Sequence, residues 1–151
     1  MDKPSLAERL GRYLPLLFWL SFIFFASSNG FSANNTSQII GPLLRWLFPS
    51  VSPETLATIH IITRKCAHFT EYAILGFLSA RAFSKSRQQF LRRHWFLLSV
   101  CLIVVYSLLD EYHQSFVPSR TASIFDSFID MAGGATALVI FYFRQQRKAK
   151  R

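Results

Sequence analysis

WFLLSVCLIVVYSLL, residues 95–109, runs without a single charge and continues directly into DEYHQ, residues 110–114. An apolar run of this length, without the alternation of a half-buried strand, reads as a helix with apolar surroundings on every side. Alone it falls short of the ~20 residues that cross a bilayer core. Extended to Gln114 it reaches that length, and it then carries Asp110 and Glu111 into the membrane. Pro118 marks where the helix must have ended. The fold therefore turns on whether the charged residues beside each apolar block belong to the spans.

Three further blocks have the same character: Tyr13 to Ser27, Ala67 to Phe83, and Met131 to Phe143. Ser52-Pro53 supplies an N-cap and a first-turn proline for a long helix through the second block. Ser123, with Asp126 three residues on, gives a capping-box variant that opens the helix of the fourth block. Between the first two blocks, Ile39 to Phe48 is amphipathic and contains Trp46, as expected of a short external helix at the membrane interface. The expected fold is an all-α polytopic membrane helix bundle with four transmembrane helices plus that interfacial helix. It is a single domain, 1–151, with basic cytoplasmic ends at 1–12 and 144–151.

Composition supports this. The chain has 151 residues, 51% of them apolar and 16% aromatic, and only 17% charged, against roughly 25% in soluble domains. Disorder is excluded, and blocks in place of stripes argue against a soluble enzyme. A net charge of +9 first suggests nucleic acid. The basic residues, however, cluster at block ends, with no aromatic-lined soluble face to make a nucleic-acid site. Thirteen of the seventeen Lys and Arg fall before the first block, at or between the second and third, or after the fourth. Only Arg45, Arg64, Lys65 and Arg120 fall on the other side. The positive-inside bias then places both termini in the cytoplasm of a multi-pass protein. Two cysteines make no disulfide framework, and Cys66 and Cys101 read as ordinary packing residues.

The helical rise places the charges. Counted from the cytoplasmic ends, Glu71 lies ~18 Å deep, Asp130 ~21 Å, His68 and Asp110 ~22 Å, and Asp126 ~27 Å. Three helices thus bring ionisable groups to one depth in the outer half of a core ~30 Å thick. Lys65, His68, Glu71 and Tyr72 share one helical stripe, Asp110 and Gln114 are four apart, and so are Asp126 and Asp130. Charges at this depth are expensive toward lipid, so they are expected to converge on an outward-facing polar pocket. Five acids beside few cations cannot all ionise cheaply, and proton sharing is expected among them. Ala132-Gly133-Gly134-Ala135 reads as a close helix-packing surface.

Lys65, His68, Glu71, Tyr72, Asp110, Glu111, Gln114, Pro118, Arg120, Asp126 and Gly133, in this order over residues 60–140, resemble the pattern of the VanZ-like family of small bacterial membrane proteins. The resemblance implies a membrane bundle of the cell envelope. The family's namesake is associated with low-level teicoplanin resistance, and the resemblance implies no particular reaction. Three positions depart from the pattern: Ser119 and Ala137 where glycine is usual, and Asp130 where asparagine is usual, which adds an acid to the pocket.

Three functions follow as expectations. The first is binding or handling of a lipid or amphiphilic envelope ligand, with Lys65, Tyr72, Glu111, Gln114, Arg120, Asp126 and Asp130 as ligand-binding residues. The alternative is an intramembrane enzyme on a lipid-linked or phosphorylated envelope precursor. There His68 would be the base or nucleophile, and Glu71 or Asp110 would orient it. The third is a proton-coupled transporter, against which four short helices without an inverted repeat argue. No spacing is diagnostic of a nucleotide or a metal. A metal version would draw on His68, Asp110, Glu111 and Asp126 as hard ligands. The expected partners are membrane lipids or lipid-linked envelope molecules.

Overall fold

The computed structural model describes residues 6–28, 42, 44, 46–118 and 123–150. Among them five helices follow in chain order: α1 (Leu6–Ala26), α2 (Pro53–Ser84), α3 (Gln89–Arg93), α4 (Trp95–Gln114) and α5 (Ile124–Ala149). α2 begins where its cap predicts. Ser52 is extended, its hydroxyl accepts from the Thr55 N–H at 3.2 Å, and Pro53 takes the first helical position. α4 ends at Gln114, ahead of Pro118. α5 starts behind Ser123, whose hydroxyl accepts from Phe125 N at 3.3 Å.

α2 is the axis of the bundle. It packs against α1, α4 and, most extensively, α5. Small residues permit the last contact: a Cβ on Gly76 would stand 2.6 Å from the Gly134 carbonyl oxygen, so the two backbones meet without side chains between them. The packing surface expected at Ala132 to Ala135 is thus the seam between α5 and α2.

The interior is small and partly polar. Tyr72, Leu75, Ile23 and Leu138 are fully buried, and so are Ser79, Ser99, Ser107 and Ser127. Thirteen of the fifteen phenylalanines among the described residues lie exposed on the outside. A water-soluble protein of this size rarely shows so much contiguous apolar surface. Small polar residues within and large apolar ones without suit a bundle in hydrocarbon.

Two of the four expected spans, α4 (Trp95–Gln114) and α5 (Ile124–Ala149), are long and apolar enough to cross a membrane. The apolar part of α1, Leu10–Ala26, is shorter. α2 has ample length at 32 residues, but Arg64, Lys65, His68, Glu71 and Arg81 dilute its apolar character. Of the interfacial segment at 39–48, Pro42, Leu44, Trp46 and Leu47 are helical, and the Phe48 N–H donates to the Leu44 carbonyl at 2.8 Å. Trp46, Leu47 and Phe48 are exposed. The rest of that segment lies outside the described residues. Cys66 and Cys101 are both free, as expected of two cysteines without a disulfide framework, and both are exposed.

Candidate functional site

The stripe on α2 carries His68 and Tyr72 into the bundle, where both are buried. Asp110 and Gln114 reach the same level from one turn of α4, and Asp130 from α5. One donor atom each from His68, Asp110 and Asp130 lies within 4.8 Å of the other two. His68 Nδ1 stands 3.2 Å from Asp130 Oδ1. Asp130 is wholly buried, and its Oδ2 has no hydrogen-bond partner among the described residues. The Tyr72 hydroxyl is likewise buried without a partner there, within electrostatic reach of Asp110 and Asp130.

Asp110 is held from two sides. The Ser27 hydroxyl donates to Oδ1, and Gln114 Nε2 donates to Oδ2 at 3.1 Å. The Gln114 carbonyl in turn accepts from Arg64 Nη2 at 3.4 Å, which fixes the orientation of the amide. Ser27 was not expected at the site. It ends the first apolar block, at the depth of the acids, and only that depth could have pointed to it. α1 is tied to the same level by Trp19, whose Nε1–H donates to the Glu71 carbonyl at 2.8 Å.

The remaining expected residues form an outer layer. Lys65 Nζ pairs with Asp126 Oδ1 at 2.9 Å, with the Lys65 side chain 47% exposed. Glu111 Oε2 accepts from the Ser123 backbone N–H at 2.8 Å. This corrects the capping box: the acid that reaches the cap N–H is Glu111 of α4, while Asp126 turns to Lys65. Glu111 Oε2 and Asp126 Oδ1 are thus taken by Ser123 and Lys65, and the three donors that lie within 4.8 Å of one another are those of His68, Asp110 and Asp130. The Glu71 side chain is partly exposed, within electrostatic reach of His68. Arg120 lies outside the described residues. His113 stacks on Phe24, with ring centroids 4.4 Å apart.

Next to the outer layer is a groove of ≈ 400 Å³, lined by Ile62, Lys65, Cys66, Phe69 and Thr70 of α2 and Ile129 of α5. Apart from the Lys65 ammonium and the small Cys66 and Thr70 groups, its walls are apolar.

The model of the VanZ/LLP1 family matches residues 13–145, which takes in most of α1, all of α2 to α4, most of α5 and every residue of the site. Neither a curated protein nor a solved structure matches the chain.

Proposed function

The chain belongs to the VanZ/LLP1 family, and from that premise we propose that it is a four-span protein of the bacterial cytoplasmic membrane, with both termini in the cytoplasm, that binds an anionic amphiphile of the cell envelope. The groove carries this reading. Its apolar lining faces outward on the α2–α5 seam, and Lys65 stands in it as the cation. An ammonium has three N–H donors, so Lys65 can hold Asp126 and still donate to a phosphate or carboxylate headgroup. An acyl chain would run along Phe69 and Ile129. A lipoglycopeptide tail is an amphiphile of the same kind, which offers a route to an accessory role in glycopeptide resistance.

The test is lipid retention by the full chain, purified in detergent and examined by native mass spectrometry with phosphatidylglycerol and phosphatidylcholine. The wild type is expected to prefer the anionic lipid, and Lys65→Gln to lose that preference. Equal retention of both lipids by the wild type would overturn the reading.

A second reading rests on the His68–Asp130 pair. A carboxylate on Nδ1 fixes the tautomer and orientation of an imidazole, as a general base requires. With Lys65 to neutralise a phosphate, this suits an intramembrane hydrolase of a lipid-linked phosphate precursor. Phosphate release from such a lipid in proteoliposomes, lost in His68→Gln, supports it. The absence of turnover leaves the binding reading alone.

A further inference from the structure

We propose that His68, Asp110 and Asp130 are the ligands of a single divalent transition-metal ion, Zn²⁺ or Mn²⁺. The inference goes beyond lipid binding and does not depend on what occupies the groove. Three helices deliver one donor each to a spot where all three lie within 4.8 Å of one another. Two donors on one ion at ~2.0–2.2 Å stand about 3.0–3.5 Å apart. His68 Nδ1 and Asp130 Oδ1 are 3.2 Å apart, so that pair already has the spacing of neighbouring ligands, and an Asp110 oxygen lies within 4.8 Å of both.

A plain His–Asp hydrogen bond accounts for that one distance but not for the surroundings. Asp130 is wholly buried, and its second oxygen has no partner among the described residues. Buried carboxylate oxygens are rarely left so. The Tyr72 hydroxyl, also buried and unpartnered there, lies in reach of the same two aspartates. Asp110, meanwhile, has the outer contacts usual for a ligating carboxylate. Ser27 and Gln114 each take one of its oxygens, and Arg64 fixes Gln114.

The donor set selects the ion. One imidazole nitrogen and two carboxylate oxygens are too hard for Cu(I) and carry a nitrogen that Mg²⁺ and Ca²⁺ do not seek; Zn²⁺ and Mn²⁺ accept both. Two carboxylates and a neutral imidazole carry two negative charges, which one divalent ion cancels inside the bundle. Three protein ligands leave at least one position for water or for an anionic oxygen of a ligand.

The experiment uses the tag-free full chain in detergent. It is stripped with chelator, dialysed against Zn²⁺ or Mn²⁺ alone, and assayed for bound metal by mass spectrometry. One ion per chain is expected, with at least tenfold weaker binding in Asp130→Asn and in His68→Gln and no change in Glu54→Gln, an exposed acid at the start of α2. X-ray absorption on the loaded wild type keeps the proposal falsifiable if those variants do not fold. It should show a nitrogen and oxygen shell with a single imidazole. No bound ion, a shell with sulfur or two or more imidazoles, or unchanged binding in a folded Asp130→Asn overturns the proposal. Lys65-dependent lipid retention would survive any of these results.

Discussion

Gly133 of α5 lies directly on the backbone of Phe69 in α2: a Cβ at position 133 would collide with the Phe69 carbonyl oxygen. The residue before Phe69 is His68, and Asp130 stands one turn before Gly133 on its own helix. The close approach therefore sets the height at which imidazole and carboxylate meet. The packing surface and the polar cluster are one construction.

Gly133→Ala tests this coupling. The added methyl meets backbone, which cannot rotate away, so the helices must separate. Overpacking of this kind costs about 1–3 kcal/mol or more. Thermal unfolding in detergent should shift down, and the His68–Asp130 pair should open with it. Gly11→Ala is the control, since nothing lies within 4 Å of a Cβ there. Gly11 lies within α1, where replacing a helical glycine by alanine gains roughly 0.5–1 kcal/mol. A Gly133→Ala protein as stable as the wild type would show that the seam is looser than its geometry implies.

Ser27→Ala removes a donor that holds Asp110. A buried acceptor that loses a donor costs about 1–3 kcal/mol. A lower unfolding temperature is expected in Ser27→Ala, and a smaller change in Ser28→Ala, whose hydroxyl bonds back to Phe25 within its own turn. Equal effects from the two serines would remove Ser27 from the site.

These two sites show what the chain discloses and what it withholds. Caps are local, so the starts of α2 at Ser52-Pro53 and α5 at Ser123 are legible as sequence. So is the stripe that buries His68 and Tyr72, because helical period alone decides it. The partners of the acids are not legible in this way. Asp126 has the spacing to cap Ser123, yet Glu111 does so, twelve residues back; Lys65, sixty-one residues from Asp126, takes that acid instead. Ser27 meets Asp110 across eighty-three positions, and a serine at the end of an apolar block carries no mark of such a contact. α2 shows the opposite difficulty: the charges that build the site lower the hydropathy by which a span is recognised.

Gln89→Cys addresses the topology. Gln89 opens α3, the short helix between α2 and α4 that carries Arg92 and Arg93. With Cys66 and Cys101 replaced by alanine, a membrane-impermeant thiol reagent should label position 89 only after the membrane is opened from the cytoplasmic side. Labelling of intact cells from outside would contradict four crossings with cytoplasmic termini.

The Lys65–Asp126 pair separates a structural role from a binding one. With Lys65 nearly half exposed, the ion pair contributes about 0–1 kcal/mol to stability, so breaking it should barely move the unfolding temperature. Asp126 also lies in the first turn of α5, where an anion meets the positive end of the helix dipole. Placing a lysine there costs about 0.3–1 kcal/mol more. The exchanged protein, Lys65→Asp with Asp126→Lys, restores opposite charges across the same gap and should unfold at most slightly below the wild type. Its groove is altered in sign, however, because position 65 lines the groove and position 126 does not. The exchanged protein should therefore fold, insert and lose its preference for phosphatidylglycerol over phosphatidylcholine, as Lys65→Asp alone does. If the exchange restores that preference, the cation serves only to hold Asp126, and the headgroup site must be sought elsewhere. If preference stays lost in an exchanged protein that is folded and about as stable as the wild type, Lys65 acts on the ligand itself.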